Sequence, residues 1–327
     1  MISEAICKLD SGNWVGSYGG PEWSPYAQAI ADHYAVQVPW YLTIPTTLTG
    51  VALQRRTILS VPYQHDILIF GAHINIGTDA AGDNGQLVFL QVTDLESGVS
   101  WVTPNIINSA PATAFGGSRT EVTPILKLPE VYFLPKYTRL KFDWSQPTGA
   151  NVTGGSITWC GVQLSQPRDG KAPEFVATPN GETIRVGSRM PWLSTVGLGR
   201  RTFTAGDLAF QMVAGGRYLQ YTPPVDCAVE IHDIHCNFFT RAGVDMLPNN
   251  VMVKITDAGE RGIWTPDLAP IPSTFGSMTQ VYPGLPFTKP YLMKPGHRFQ
   301  LSVQNNNAAL AINDAMVTIR GVRLCEY

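Results

Sequence analysis

Apolar residues along this chain recur at every second position, in short runs separated by turn residues. A period of two is the signature of a half-buried β-strand. In the first half the runs fall at Asp66 to Ile76, Gln86 to Val92, Tyr137 to Trp144 and Ile157 to Leu164. The second run is entered through Asn84-Gly85, a dipeptide suited to the positive-φ positions of a tight hairpin. The third places Leu140 and Phe142 on one face. In the second half the runs fall at Ala228 to Phe238, Val251 to Thr256, Arg298 to Val303 and Met316 to Leu324. One segment breaks this pattern. Ser24-Pro25 opens the Ala-rich stretch Tyr26 to Tyr34. Serine at the N-cap and proline at the first helical position predict a short helix there.

The two halves repeat one another. Val92-Thr93-Asp94 followed by Gly98, Trp101, Thr103 and Pro104 is matched by Ile255-Thr256-Asp257 followed by Gly262, Trp264, Thr265 and Pro266. Thr113 to Gly116 is matched by Thr274 to Gly276, and Ser156 to Leu164 by Met316 to Leu324. His73-Ile74-Asn75 is matched by His235-Cys236-Asn237, and Pro39-Trp40 by Pro191-Trp192. The offset is steady: Trp264 minus Trp101 is 163, and Gly321 minus Gly161 is 160. A unit this long is a domain and not a solenoid repeat. The expected organisation is an N-terminal arm over residues 1–37, a first copy over 38–165, a linker over 166–174 and a second copy over 175–327. Trp40 to Pro62 is 22 positions while Trp192 to Pro223 is 31. The second copy therefore carries extra residues near Thr202 to Gly216, expected as a loop or short helix. Many short strands with Gly- and Pro-bearing loops, and no βαβ alternation, predict an all-β protein of two tandem β-sandwiches of jelly-roll type.

Composition narrows the function classes. Charged residues are 15% of the 327, against about 25% in typical globular domains. Net charge is −2, and the pairs Arg55-Arg56 and Arg200-Arg201 are too short to make a cationic face. Nucleic-acid binding is therefore not expected. Scarcity of charge in a long chain fits a protein with permanent contacts, because interface cores are depleted in charge. No stretch approaches the ~20 apolar residues of a membrane span. The start, Met1 to Cys7, lacks the basic and apolar regions of a signal peptide. The five cysteines are expected as free, mostly buried thiols in a reducing cytosol. Asn151-Val152-Thr153 is a glycosylation sequon without a secretion signal beside it, and is set aside.

No motif names a reaction. His232-Asp233-Ile234-His235 is the most site-like cluster, but residues three apart in a strand point to opposite faces unless the strand bulges. The first copy has Phe70 and His73 at these places. Asp79 to Gly85 lacks the alternate acids of a calcium loop, and its counterpart, Val244 to Asn250, is poor in acids. There is no Gly-x-Ser-x-Gly elbow; Gly154-Gly155-Ser156 leads into a strand. Gly197-Leu198-Gly199-Arg200-Arg201 lacks the residues of a phosphate-cradling loop. No catalytic, cofactor-binding or metal-ligating residue is assigned, and no cofactor is expected. Trp101 and Trp264 hold equal places and serve as core tryptophans or, in a rival reading, as a glycan-stacking platform. Trp14, Tyr18, Trp23 and Tyr26 make the arm aromatic, either to dock on a neighbouring subunit or to wrap its own domain.

In build, the repeats from Val38 to Tyr327 resemble structural proteins of virus particles, particularly bacteriophage capsid-decoration, collar and fibre-base proteins made of jelly rolls. The resemblance implies a static, non-enzymatic role in the virion, with other copies of itself and other virion proteins as partners. Two alternatives stand beside it: a double-jelly-roll major capsid protein, whose trimers offer six quasi-equivalent domains, and a glycan-binding receptor-recognition protein.

Overall fold

The computed structural model describes residues 8–10, 13–15, 24–45, 54–60, 65–78, 88–102, 109–115, 126–145, 152–197, 200–204, 207–211, 215–221, 227–239, 251–257, 262–263, 267–270, 289–295, 299–306 and 313–325. In chain order the elements are β1 (Lys8–Asp10), β2 (Asn13–Val15), α1 (Pro25–Asp32), β3 (Tyr34–Pro45), β4 (Gln54–Ser60), β5 (Asp66–Thr78), β6 (Phe89–Asp94), β7 (Ala110–Pro111), β8 (Leu126–Leu134), β9 (Arg139–Ser145) and β10 (Val152–Pro167). After them come β11 (Phe175–Ala177), β12 (Thr183–Arg185), β13 (Arg189–Gly197), β14 (Arg200–Thr204), β15 (Asp207–Gln211), β16 (Gly215–Tyr221), β17 (Ala228–Phe239), β18 (Val251–Asp257), β19 (Gly262–Ile263), β20 (Ala269–Pro270), β21 (Tyr291–Met293), β22 (Phe299–Asn305) and β23 (Asn313–Leu324).

Strand order settles the architecture. The first half forms two antiparallel sheets, β3-β10-β5-β8 and β4-β9-β6-β7. The second forms β13-β23-β17-β21 and β16-β22-β18, with β19 and β20 both paired to β18. Counting sandwich strands from the start of each half, one sheet reads first, eighth, third, sixth. The other reads second, seventh, fourth, fifth. That order is the jelly roll, and it occurs twice. The protein is all-β, with one short helix.

Each copy closes around alternating apolar side chains. In the first, Ile67, Ile69 and Trp159 of one sheet share a buried cluster with Leu90, Val92, Leu140 and Phe142 of the other. Trp159 sits at the centre, edge-on to Trp101 at 5.7 Å and beside Phe142 at 5.5 Å between ring centroids. Such pairs add about 0.5–1.5 kcal/mol each beyond area burial. In the second, Val229, Ile231, Ile234, Val317 and Ile319 are buried on one sheet, and Val253, Ile255, Leu301 and Val303 on the other.

The repeated motifs have local causes. Asp94 ends β6 and is buried; its carboxylate accepts the Glu96 N–H at 2.8 Å and the Tyr132 hydroxyl at 2.8 Å. Gly98, at φ +70°, turns the chain so that Trp101 N–H reaches the Val92 carbonyl at 2.9 Å. Asp257 and Gly262 pair at the matching turn of the second copy. The repeated glycine of the last strand lies at a bulge in both copies. Gly161 follows a register shift opposite β5, and Gly321 follows the equivalent one opposite β17. A Cβ on Gly161 would fall on the Leu68 carbonyl oxygen, and one on Gly321 on the Glu230 carbonyl oxygen. Only a residue without a side chain lets the bulged neighbour approach this closely.

The predicted helix forms. The Ser24 hydroxyl accepts the Ala27 N–H at 3.1 Å, and Pro25 opens the first turn. Its buried face, Tyr26, Ala27, Ile30 and Ala31, packs on the outer side of the first sandwich, against Leu68, Phe70, Phe133, Cys160 and Val162. The β11–β12 hairpin adds Val176 to the same cluster. No helix among the described residues is long and apolar enough to cross a membrane.

Two expectations are corrected. The extra residues of the second copy are neither a loop nor a helix: β14 and β15 pair as an antiparallel hairpin. Phe203 pairs with Leu208 and Arg201 with Phe210, a cross-strand pattern that the number of inserted positions does not carry. The cysteines are not all free. Cys227 and Cys325 form a disulfide, with Cα atoms 4.9 Å apart. They stand just beyond the register pair Ala228–Leu324 at the end of β17 and β23. Sheet pairing brings together these two residues, 98 apart in sequence, a proximity that spacing along the chain does not show. Cys160 is a buried thiol outside any disulfide, and its Sγ–H donates to the Thr158 carbonyl at 3.7 Å.

Two predictions follow from this framework. Gly161→Ala and Gly321→Ala should each lower stability by about 1–3 kcal/mol, through the same clash in either copy; denaturation midpoints of the two variants compare them directly. Cys227→Ser should lower stability by about 3–5 kcal/mol, the loop-closure value for a long loop. A reductant should lower the midpoint of the wild type and leave that of the variant unchanged.

Candidate interaction surface

The first sandwich ends on one side at β7 and β8, and β13 of the second copy lies against both. Leu193 N–H donates to the Trp101 carbonyl at 2.9 Å, and Leu193 bridges Val102 in parallel. Leu193 and Met190 join the core cluster of the first sandwich, with Trp101 and Tyr132. Leu193 pairs with Arg320 as Tyr41 pairs with Cys160, and Cys160 belongs to the outer cluster under α1. The contact is therefore edge to face: an edge of the first sandwich sits on the outer face of the second. A threonine pair marks the change. Thr43 and Thr158 are hydrogen-bonded at 3.0 Å in the open, while their equivalents Thr195 and Thr318, at 2.9 Å, are buried.

Glu130 of β8 is the polar anchor of this junction. Its side chain is 4% exposed. One oxygen accepts the Ser24 hydroxyl at 2.5 Å and the Val131 N–H at 2.9 Å. The other accepts from the Arg189 guanidinium at 3.4 Å. Arg189 also lies over the Tyr26 ring, 5.9 Å from its centroid, and the Tyr26 hydroxyl accepts the Gly187 N–H at 2.8 Å. One carboxylate thus ties the cap of α1, the edge of the first sandwich and the first strand of the second. Burial raises the Glu130 carboxyl above the ordinary glutamate value, and Ser24, Val131 and Arg189 draw it back. Burial likewise pushes the Tyr26 hydroxyl up to about 12.

A second buried charge pair lies at the bulge. Arg320 and Asp233 approach to 3.4 Å, where the first copy has Cys160 opposite Gly71. Burial raises the Asp233 carboxyl, and Arg320, then His232, oppose the shift. His232 stands 3.8 Å from Glu230. The strand does bulge at His232: Ile231 and Ile234, three apart, are both fully buried. The premise that residues three apart face opposite sides therefore fails in β17. Among the described residues, no three His, Cys, Asp or Glu side chains converge as a metal site would require.

The other sequence candidates divide. Trp101 is 1% exposed and belongs to the core, so it offers no stacking platform. Tyr26 wraps its own domain. Trp14 lies in β2, paired with Leu9. Tyr18, Trp23, Trp264, Asp79 to Gly85 and Val244 to Asn250 lie outside the described residues. Gly154 to Ser156 lie inside β10, and Arg200-Arg201 opens β14. Sequence reasoning missed Glu130 and Arg189. Their one visible signal was an acid set inside the apolar run Leu128 to Leu134.

No family model matches the chain, and no curated protein matches it. Among solved structures it is similar to the CUB1-EGF-CUB2 domain of human MASP-1/3, at 9% identity and TM-score 0.22 over 86% of this chain and 99% of that one. The Sulfolobus Turreted Icosahedral Virus structure is similar at 9% and 0.22, over 88% and 60%. The ANX2 ectodomain from Arabidopsis thaliana is similar at 10% and 0.24, over 89% and 90%. Viral and non-viral structures score alike, and the jelly-roll assignment stands on strand order alone.

The Glu130 anchor predicts a pH dependence. A carboxyl raised in the fold adds stability that is full below its unfolded value, about 4.3, and lost as pH rises through the folded value. The wild type should therefore gain on Glu130→Gln as pH falls from neutrality toward about 5, read from urea midpoints. Arg189→Ala should cost about 3 kcal/mol, because it leaves a buried carboxylate without its cation.

Proposed function

We propose that this chain is a structural subunit of a virus shell, of the double jelly-roll kind. The observation that carries the reading is the pair of complete jelly rolls in one chain, locked by a buried edge-to-face junction. Such a chain is a rigid two-domain block. Three blocks supply six similar sandwiches, enough to fill a six-sided capsomer with one gene product. This favours the shell role over decoration of the capsid or bracing of the neck, which would not call for two full sandwiches of like order.

Two further features support it. The chain is poor in charge, as suits surfaces that stay covered. The Cys227–Cys325 disulfide suits a particle that persists in oxidising surroundings outside a cell. In this reading the protein works without catalysis or cofactor, and its partners are copies of itself and other virion proteins. Electron microscopy of particles containing this protein tests it. The expected image is a closed shell of six-sided capsomers with hundreds of copies. A few copies confined to a neck or vertex would establish the bracing role instead, and absence from particles would end the virion reading.

A further inference from the structure

Six large apolar residues stand exposed among the described residues: Val38, Tyr41, Tyr137, Phe175, Leu268 and Leu292. Four of them fall at two places. Val38 and Tyr41 lie on β3, at 46% and 41% exposure. Leu268 precedes β20 and Leu292 lies in β21, at 37% and 47%. Val38 and Tyr41 stand where the second copy has the face of the internal junction, and Leu268 and Leu292 flank Ala269, Pro270 and Tyr291, which stand where the first copy has its edge.

The register makes the equivalence strict. Trp40 pairs with Gly161 as Trp192 pairs with Gly321, so Tyr41 answers Leu193 and Val38 answers Met190. Leu193 and Met190 are 1% and 6% exposed because the first sandwich covers them. Ile69 pairs with Tyr132 as Ile231 pairs with Tyr291. Leu90 pairs with Ala110 as Val253 pairs with Ala269. Ala110, Pro111 and Tyr132 are buried at the internal junction, whereas Ala269, Pro270 and Tyr291 are only half-buried. These five apolar positions, covered once inside the chain, are thus presented a second time on its outside, as one edge and one face.

We propose that this edge and this face meet between two copies of the chain: the β20–β21 edge of one seats on the outer face of β3 of the next, repeating the internal contact. The inference rests on the shell reading and names its subunit contact. The contact is heterologous, using different surfaces on the two partners, so it propagates around a ring. It differs from the internal one in charge. Glu130 and Arg189 are answered by Lys289 and Gln37, so the buried ion pair is absent between chains. The contact between chains is therefore the weaker of the two, and assembled rings come apart into folded single chains.

Sedimentation of the full chain tests this with Tyr41→Glu on the face, Leu268→Glu on the edge and Tyr137→Glu as an exposed control. The wild type and the control should assemble. Each of the other variants should associate ~tenfold or more weakly while keeping the wild-type melting temperature. An equimolar mixture of the Tyr41 and Leu268 variants should recover a dimer and go no further, since one intact edge and one intact face remain. Val38→Glu replaces Tyr41→Glu if the latter alters folding. Rings that survive both variants, or a mixture that stays monomeric, overturn the inference while leaving the shell role standing. A wild type that is monomeric at every concentration and absent from particles overturns both.

Discussion

Leu193 completes the core of a sandwich to which its strand does not belong. Without it, the β7–β8 edge would leave Trp101 and Val102 facing water, together with main-chain groups that have no ladder to join. With it, the Trp101 carbonyl gains a donor and the first core gains an apolar lid. Everything else at the junction is arranged around that insertion. Arg189 sits four residues earlier to meet Glu130, and Tyr26 lies beneath Arg189. The outer threonine pair of the second copy loses its solvent. The two halves are consequently one mechanical unit.

Duplication followed by divergence explains where the copies differ. The outer face of the first copy's main sheet is apolar, with Leu68, Phe70 and Cys160, because α1 and the β11–β12 hairpin lie on it. The same positions in the second copy are Glu230, His232 and Arg320, and Glu230 and His232 are partly exposed there. Arg320 is buried and answered by Asp233. Each sequence change tracks a change in what covers the sheet, while the inward positions keep their apolar character.

Much of this fold was legible in the chain. The period-two runs marked the long strands, and Ser24-Pro25 marked the helix start. The matched Trp, Asp and Gly positions revealed the duplication, because each serves a local geometric need that any copy must meet. The repeated glycine of the last strand is an example, since its role depends only on the neighbouring bulge. What stayed hidden depends on residues far apart in sequence. Glu130 meets Ser24 across 106 positions and Arg189 across 59. Cys227 meets Cys325 across 98. No periodicity carries such pairings; only the strand order does. The junction was equally invisible, since a leucine on a strand gives no sign of which core it enters.

In both copies the strand that holds the middle of the main sheet, β10 or β23, is the last one encoded. A nascent chain thus leaves the ribosome with a gap in the centre of each sheet until its final segment emerges. The N-terminal jelly roll can close while its twin is still being synthesised, but for that interval Trp101 and its neighbours are uncapped. Newly made protein passes through a sticky, half-finished stage, and crowded polysomes or C-terminal truncation would favour clumping over correct folding.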